Sequence, residues 1–490
     1  MLFNSYQFLF FFPVVTLMYF IIPHRYRYIW LLVASYFFYM CWNAKYALIL
    51  LFSTSVTYLS GLLINREEDI RRKKIWVALS FTLNLSILFL FKYFDFAVDN
   101  INRVLSILNI EVLNPTFDVV LPVGISFYIF QALSYTVDVY RKDVKAERNF
   151  LKYALFVSFF PQLVAGPIEK SKDLLSQIYE RHYFDFERVK DGLLIIIWGG
   201  FQKIVIADRV AIVVDTIFNN YPTYQGMYII VGAVLFAFQI YCDFSGYSTI
   251  ALGAAKVMGF RLTENFNCPY FALSISEFWR RWHISLQSWF KDYLYIPLGG
   301  NRKGTLRKYI NIMTVFLVSG LWHGASWHYV VWGGLNGVYQ IIGYNTKGIR
   351  DKVIEKLHLN RDSASHRLMQ ILITFVLVDI TWVFFRADGF KLALRMFKSI
   401  LVVHNPWILF DGSLYNLGIG SKEFSFMIIS TIVLLIADYI KWKGYSVREW
   451  VYKQEIWFRW TFYIVSIMVV LIFGIWGAGY DASAFIYFQF

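Results

Sequence analysis

The sequence predicts an all-α, polytopic membrane protein of about 10 to 12 transmembrane helices, with re-entrant and interfacial helices around a central tunnel. Composition is the first reason, because 58% of the 490 residues are hydrophobic and 16% are charged, whereas soluble proteins carry about 25% charged residues. The second reason is a succession of apolar runs, several of which reach the roughly 20 residues that a span requires. No long polar stretch could form a soluble domain, so a soluble enzyme is excluded.

The apolar runs predict the order of the membrane segments along the chain. They cover residues 8–22, 29–64, 75–97, 120–140, 153–165, 191–214, 226–242, 309–322, 328–343, 368–385, 424–440 and 460–478. The first run lacks the basic flank and the cleavage site of a signal peptide, so we expect it to remain as a membrane segment. Asn43 and Lys45 interrupt the second run, which predicts two spans or a re-entrant hairpin. Pro161 and Gly166 break the fifth run, which predicts a re-entrant segment lining a cavity.

Basic residues predict the orientation of these segments. The 47 Lys and Arg residues exceed the 33 Asp and Glu residues, which gives a formal charge of +14. Clusters within residues 25–27, 66–74, 141–145 and 441–448 are expected on the cytoplasmic side, where basic residues face anionic lipid. The connections at residues 98–119 and 405–421 and the N-terminus then face outward. Neither a basic tail nor an aromatic-basic pattern is present, so no nucleic-acid partner is expected.

A single integral membrane domain is expected over residues 1–490, with a catalytic core at about 120–345 and peripheral helices at 1–119 and 346–490. The three cysteines, Cys41, Cys242 and Cys268, stand far apart and encode neither a disulfide framework nor a zinc ribbon.

Residues 261–308 form an aromatic-rich interruption that is mostly too polar to span the membrane. Within it, residues 276–290 have helical spacing and place Phe278, Trp282, Leu286 and Trp289 on one face. An amphipathic helix on the membrane surface is one interpretation, and a functional segment is the other. The glycine-rich and basic residues 299–304 are not a Walker A loop; they predict either a cytoplasmic turn or a phosphate contact.

His323 is the candidate for proton transfer, because it lies between two apolar runs and an ionisable group at membrane depth indicates function. Imidazole, with a reference pKa of about 6.5, accepts and returns a proton near neutral pH. The small residues Gly320, Gly324 and Ala325 would let a substrate approach closely. A packed structural histidine remains the alternative. Metal binding is disfavoured, since His323 and His328 are separated by roughly 140° on a helix and no acidic residue accompanies them.

Intramembrane carboxylates keep other function classes open. The acids in or at the ends of apolar runs are Asp138, Asp208, Asp243, Asp379 and Asp438. Such carboxylates are typical of the ion and proton sites of secondary transporters. A transporter or flippase of glycan intermediates is therefore one alternative, and a scaffold that recruits exopolysaccharide enzymes is another.

Five ordered motifs resemble those of the membrane-bound O-acyltransferase (MBOAT) family. They are YCDFSGYS at 241–248, NFNCPY at 265–270, FWRRWHISL at 278–286, DYLYIPLGG at 292–300 and GLWHGA at 320–325. Supporting segments at 121–127, 160–168 and 382–387 extend the resemblance over nearly the whole chain, which looks like the bacterial alginate O-acetyltransferase branch. Two positions depart from the family pattern: Asn336 stands where Trp-Gly-x-x-His-Gly has histidine, and Thr249 replaces a frequent Asp.

The resemblance implies a multi-pass enzyme of the bacterial cytoplasmic (inner) membrane that transfers an acyl group across the lipid bilayer. The implied donor is a cytoplasmic acyl-CoA, usually acetyl-CoA, which acts as a substrate; no bound cofactor and no metal are expected. The implied acceptor is an extracytoplasmic polysaccharide, as in alginate and other exopolysaccharide O-acetylation, and a separate SGNH-type acetyltransferase outside the membrane would complete the transfer. Teichoic acid D-alanylation is the alternative within the family and is ranked lower.

The resemblance also assigns residues. The near-invariant histidine of the family falls on His323 and the second histidine of this branch on His283, so both are expected to be catalytic. His323 would act as general base on the attacking hydroxyl, while His283 would orient the donor, stabilise charge or serve the structure. The expected substrate-binding residues are Arg280, Arg281, Lys291, Arg302, Lys303, Asp243, Trp322 and Asn336. The basic members would meet the phosphates of CoA, with membrane anchoring as their alternative role.

Overall fold

The computed structural model describes residues 1–113 and 121–476, together with residue 486. Within these residues the regular elements are helices, apart from an isolated antiparallel bridge between Phe266 and Trp282. The predicted all-α class is therefore confirmed. The beginning of the apolar run at 120–140, the end of the connection at 98–119 and the end of the run at 460–478 lie outside the described residues.

The chain divides into two compact units, and the first comprises residues 1–196 and 250–263. Its first nine helices are α1 (Tyr6–Ile21), α2 (His24–Met40), α3 (Tyr46–Arg66), α4 (Ile70–Leu88), α5 (Phe94–Ile107), α6 (Ile125–Arg141), α7 (Phe150–Ser158), α8 (Phe160–Leu163) and α9 (Ser171–Gln177). Side chains of Ser5, Asp69 and Asn149 accept backbone N–H groups at the start of α1, α4 and α7, because a first helical turn leaves donors unpaired. The backbone is non-helical at Phe159, between the buried helices α7 and α8, which is the irregular backbone expected near Pro161.

The second unit comprises residues 197–249 and 264–490. The helices from α10 onward are α10 (Phe186–Gly200), α11 (Asp208–Asn219), α12 (Met227–Met258), α13 (Ile275–Arg281), α14 (Ile284–Phe290), α15 (Gly304–His323), α16 (Trp327–Asn345), α17 (Lys347–Lys356), α18 (Ala364–Arg386), α19 (Phe390–Val402), α20 (Ser421–Trp442), α21 (Val447–Tyr452) and α22 (Ile456–Phe473). Two of the three divisions between the units fall inside α10 and α12, and the third follows residue 263. Segments Phe89–Tyr93, Phe201–Ala207 and Lys291–Tyr295 are π-helical, and Pro269–Phe271, Pro406–Leu409 and Ser413–Asn416 are 3₁₀-helical.

Six helical segments of the described residues are long and apolar enough to cross a membrane. They are Tyr46–Arg66, Ile70–Ile107, Met227–Met258, Ala364–Arg386, Ser421–Trp442 and Ile456–Phe473, and Tyr6–Ile21 is a shorter apolar helix. A multi-pass membrane protein is thereby confirmed. The larger total of about 10 to 12 spans, which would count shorter helices, stays a prediction.

The core of the second unit is rich in buried tryptophan and phenylalanine. Trp332 on α16 stacks on Trp382 of α18 with 5.9 Å between ring centroids. Trp282, which follows α13, lies 5.1 Å from the same Trp382 ring. Aromatic rings bury a large apolar area with only two side-chain torsions to order. This core therefore gives rigid support to the side chains that it surrounds.

Candidate active site

Helices α15 and α16 form a hairpin that carries His323 at the last position of α15. The two helices approach so closely that a Cβ at Gly320 would lie 2.3 Å from the Tyr329 carbonyl oxygen. A Cβ at Gly333 would lie 2.2 Å from the carbonyl oxygen of Phe316. The expectation that Gly320 and Gly324 leave room for a substrate is wrong for this volume, because the backbone and ring of Tyr329 occupy it. These glycines serve the close contact of two helices instead.

The imidazole of His323 is 5% exposed and is oriented by its own helix. Its Nδ1 lies 2.6 Å from the backbone carbonyl oxygen of Ser319. Because a carbonyl oxygen only accepts, Nδ1 carries the proton and the lone pair of the neutral ring lies on Nε2. Trp322 and Trp332 lie edge-to-face against the ring, each with a centroid distance of 4.9 Å. The packing fixes one tautomer and one ring orientation, which a general base requires.

His283 separates two helices that the sequence predicted as one. The helical spacing of residues 276–290 predicted continuity, and this is wrong: α13 ends at Arg281 and α14 begins at Ile284. His283 takes a left-handed conformation with φ of 47°. A left-handed backbone costs a non-glycine residue roughly 1–2 kcal/mol, so the surrounding contacts must hold it.

Those contacts come from the segment around Asn265. The Ile284 N–H donates to the Asn265 carbonyl oxygen at 3.0 Å, and the Ser285 N–H donates to the side-chain oxygen of Asn265 at 3.2 Å. The amide nitrogen of Asn265 donates in turn to the Ser248 hydroxyl on α12 at 3.2 Å. Asn265, which belongs to the second motif but was not predicted as a site residue, therefore fixes the break at His283.

The two histidines contact the same indole, that of Trp322. The Trp322 ring lies 4.9 Å from the His323 ring and 6.0 Å from the His283 ring, measured between centroids. Burial, and after it the electrostatic influence of His323, lowers the pKa of His283 well below its usual range. His283 is therefore neutral at physiological pH. Phe244 packs against its ring at 4.7 Å.

Asp243, predicted to bind substrate, lies in a buried ion cluster. Its Oδ1 accepts a hydrogen bond from Lys203 Nζ, which also donates to Asp208 Oδ1 at 2.8 Å. The three residues are 2%, 2% and 8% exposed in the order Asp243, Lys203 and Asp208. The second oxygen of Asp243 accepts the backbone N–H of Ile486 at 2.8 Å. The structure thus surrounds Asp243 with protein donors.

The π-helical turn explains why Lys203 meets Asp208. The Asp208 N–H donates to the Lys203 carbonyl oxygen, five residues earlier, as π geometry requires. Residues five apart therefore share one face, whereas in an α-helix they diverge. Lys203 was identifiable from the sequence as a functional residue, because a lysine within an apolar membrane run indicates function. The run at 191–214 predicts a span, and this prediction does not consider the lysine.

Asn336 is wholly buried on α16 and its amide is used within the protein. Its Oδ1 accepts from the indole N–H of Trp279 at 3.2 Å, and its Nδ2 donates to the Trp332 carbonyl oxygen at 2.9 Å. Trp332 is one of the two tryptophans whose rings pack on His323. Asn336 therefore holds the tryptophan rings near His323 in place, and its amide is not available for a direct hydrogen bond to substrate.

The predicted basic residues fall into two groups. Arg281 donates to Glu277 Oε1 at 2.7 Å and to the carbonyl oxygen of Asn267 at 3.1 Å, so it holds α13 in place. Glu277 and Ser274 also form a cap at the start of α13. The remaining residues, Arg280, Lys291, Arg302 and Lys303, are exposed.

Four of the five acids behind the transporter alternative have partners inside the protein, whereas Asp379 Oδ1 is buried with no hydrogen-bond partner among the described residues. Asp208 and Asp243 pair with Lys203, Asp138 accepts from the Ser171 hydroxyl at 2.9 Å, and Asp438 accepts from the Tyr241 hydroxyl at 2.8 Å. Among the residues that the structure describes, no group of three or more His, Cys, Asp or Glu side chains is placed to hold a metal ion.

Comparison with known proteins adds a second line of observation. The family model of the membrane-bound O-acyltransferase family, MBOAT, matches residues 141–385. The chain is 40% identical to a Pseudomonas putida protein named "Probable alginate O-acetylase AlgI", over 82% of this chain and 80% of the relative. It is 36% identical to the peptidoglycan O-acetyltransferase of Helicobacter pylori, over 82% and 80% of the two chains. A teichoic acid D-alanyltransferase of Streptococcus thermophilus is 27% identical over 45% of this chain and 56% of the relative.

Proposed function

The chain belongs to the membrane-bound O-acyltransferase family, and from this premise we propose that it moves an acetyl group from acetyl-CoA toward hydroxyl groups of a polysaccharide outside the bacterial cytoplasmic membrane. The names of the relatives that match over four fifths of the chain support the polysaccharide, since they act on alginate and peptidoglycan. The weaker and shorter match to a D-alanyltransferase ranks teichoic acid second.

The geometry of His323 is the observation that carries this proposal. A hydroxyl is a poor nucleophile until a base accepts its proton. The Nδ1–H donates to the Ser319 carbonyl oxygen, so Nε2 is the basic atom. His323 Nε2 takes the hydroxyl proton as the hydroxyl oxygen attacks the thioester carbonyl carbon. The carbon–sulfur bond then breaks, and the CoA thiolate leaves and takes up a proton.

His283 assists without carrying charge. Its neutral ring contacts Trp322, which also contacts His323, and it packs against Phe244. We assign it to the positioning of the acyl donor, with a purely structural role as the alternative. The strained φ at His283 favours function, because costly conformations persist where the position of a side chain matters.

The exposed residues Arg280, Lys291, Arg302 and Lys303 would pair with the phosphates of CoA. The aromatic side chains around His323 would exclude water, which otherwise hydrolyses the thioester. An extracytoplasmic SGNH-type acetyltransferase would receive the acyl group and complete its transfer to the polymer. That partner follows from the resemblance to the alginate branch.

The test uses the full chain in nanodiscs with labelled acetyl-CoA, a soluble glycan acceptor and the extracytoplasmic partner. We expect His323→Ala to lower acetyl-CoA consumption by roughly 100- to 10,000-fold, the usual contribution of a general base. His404→Ala, at an exposed histidine in the loop after α19, is the control and should retain activity. The proposal is overturned if folded native protein consumes no acyl-CoA, or if the His323 variant keeps full activity.

A further inference from the structure

Trp332 on α16 carries a buried hydrogen-bond donor that the protein does not use. The residue is 1% exposed, and its indole Nε1 has no hydrogen-bond partner among the residues that the structure describes. A buried indole N–H ordinarily finds an acceptor, because a donor that loses its water without gaining a partner destabilises the fold. An unpaired donor in a native core therefore requires an explanation, and a catalytic role is one of the recognised ones.

The neighbouring indole shows the ordinary solution. The Trp279 ring lies 5.7 Å from the Trp332 ring, and its N–H donates to Asn336 Oδ1 at 3.2 Å. The Asn336 amide nitrogen donates to the Trp332 carbonyl oxygen at 2.9 Å. One buried amide thus accepts the N–H of the first tryptophan and holds the backbone of the second, while the N–H of the second stays without an acceptor.

The unpaired donor belongs to a ring that touches the candidate general base. The Trp332 and His323 rings meet edge-to-face, with 4.9 Å between centroids and 71° between planes. A general base must lie within about 3 Å of the hydroxyl oxygen whose proton it takes. When that oxygen attacks, it becomes bonded to the same carbon as the thioester carbonyl oxygen. Negative charge therefore develops close to His323, where a donor on an adjoining ring can reach it.

Packing fixes the Trp332 ring in one place. It stacks on Trp382 with 5.9 Å between centroids and 18° between planes. Phe385 lies against it at 5.1 Å and 68°. The following residue, Gly333, is held where α16 meets α15. A donor that is fixed before the reaction begins needs no reorganisation as charge develops, which is the property that makes such donors effective in catalysis.

We propose that the Trp332 indole N–H is a catalytic donor that stabilises the oxyanion of the acyl-transfer reaction. The attacking hydroxyl oxygen forms a bond to the thioester carbon and gives its proton to His323, while the carbonyl π pair moves onto oxygen, which accepts the Trp332 N–H. The pair then re-forms the carbonyl, the carbon–sulfur bond breaks, and the thiolate leaves with its pair and takes the proton from His323. The inference rests on the proposed function, since it concerns the same reaction.

The experiment measures acetyl-CoA turnover by the full chain in nanodiscs, with the soluble glycan acceptor and the extracytoplasmic partner present. Trp332→Phe removes the N–H and keeps an aromatic ring beside His323. We expect kcat to fall about 100- to 1,000-fold, the usual effect of losing one oxyanion donor. The KM for acetyl-CoA should change less than about threefold, because the lost bond is strong only in the transition state.

Trp382→Phe is the matched control. Trp382 is also 1% exposed, and it stacks on Trp332, so its replacement removes an indole N–H and the same volume from the same core. Its kcat should stay within about threefold of the native value. Equal falls in kcat for the two variants would overturn the proposal, since lost packing would then explain both.

An isosteric substitution separates the N–H from the volume of the ring. β-(3-Benzothienyl)alanine at position 332 replaces the N–H by sulfur, keeps the shape of the indole and cannot donate. Because the native donor is unpaired among the described residues, this protein should melt at the native temperature or above it, while its kcat falls as in Trp332→Phe. A lower melting temperature with native kcat would assign the N–H to stability and overturn its catalytic role.

The outcomes distinguish this donor from the proposed function. Native kcat in the benzothienyl protein overturns the donor and leaves acyl transfer through His323 standing. Faster hydrolysis of acetyl-CoA in the absence of acceptor, with an unchanged rate of transfer, also overturns it and assigns Trp332 to the exclusion of water. Native protein that consumes no acetyl-CoA overturns the proposed function itself.

Discussion

At the scale of residues, the backbone controls the chemistry of the side chains. The Ser319 carbonyl oxygen selects the tautomer of His323, and the pairing of Asn265 with residues 284 and 285 holds His283 in a left-handed conformation. Both histidines were identifiable from the motifs. The conformation of His283 was not, because left-handed backbone is signalled in a sequence mainly by glycine, asparagine or aspartate.

Lys203 yields a prediction about stability. Lys203→Met leaves the Asp208 and Asp243 carboxylates buried without their cation, and breaking a buried ion pair from one side costs about 3–5 kcal/mol. We expect a large drop in the apparent melting temperature of the purified protein. Asp243→Asn should be milder, because Lys203 keeps Asp208 as a partner and an amide oxygen still accepts the Ile486 N–H.

An exposed ion pair provides the control for this prediction. Lys441 and Glu264 form a bridge of 3.2 Å, with 49% and 62% of their side chains exposed. Solvated pairs of this kind contribute less than about 1 kcal/mol, so Lys441→Met should hardly change the melting temperature. Equal shifts for Lys203→Met and Lys441→Met would contradict the importance of the buried cluster.

At the scale of elements, the close approach of α15 and α16 decides where His323 lies. The contact depends on backbone meeting backbone at Gly320 and Gly333, the packing by small residues that is common between membrane helices. The apolar runs at 309–322 and 328–343 predicted both helices to within a few residues. Their mutual distance was not predictable from those runs, because hydropathy describes each helix singly.

Gly333→Ala tests this contact. A Cβ there would lie 2.2 Å from the Phe316 carbonyl oxygen, so the backbone of the hairpin must move. We expect a lower melting temperature and loss of acyl transfer together, because the movement displaces His323. The measurements are thermal unfolding and acetyl-CoA turnover on one preparation.

Gly343→Ala, on the same helix, is the matched control. No atom lies within 4 Å of a Cβ at this position, and alanine is favoured over glycine in helices by about 1 kcal/mol. Gly343→Ala should therefore be as stable as the native protein or slightly more so. If the two substitutions behaved alike, helix propensity rather than interhelical distance would govern the hairpin.

The broken helix at 276–290 shows where periodicity fails. Its apolar spacing fits one amphipathic helix, yet the chain leaves the helix at Trp282 and pairs with Phe266 in an isolated bridge. Spacing records only which face of a segment is apolar. The bridge partner, Phe266, comes from a loop 16 residues earlier in the chain, and no local pattern specifies that pairing.

At the scale of the whole molecule, composition alone predicts the all-α membrane class. The ordered motifs identify the family. A chain with 16% charged residues has too little polar surface for a soluble fold of this length, and the helices bear this out. The family resemblance is confirmed by the match over residues 141–385. The division into two compact units within α10 and α12 was not expected, because apolar runs carry no information about which helices pack together.

The orientation of the chain in the membrane leads to the last prediction. Glu68 lies between Arg66 and the basic residues 71–74, whereas the connection at 405–421 has no Lys or Arg. The positive-inside rule therefore places Glu68 in the cytoplasm and Asn416 outside. Single cysteines at these exposed positions, in a Cys41→Ser background, report the two sides, since Cys242 and Cys268 are buried and Cys41 is exposed.

A membrane-impermeant maleimide should label Asn416→Cys in intact spheroplasts and Glu68→Cys only after permeabilisation. The Cys41→Ser protein without added cysteine should stay unlabelled in both states, and this control confirms that the buried thiols are silent. Labelling of Glu68→Cys before permeabilisation would contradict the predicted orientation, because it would place the basic residues 66–74 on the outer side.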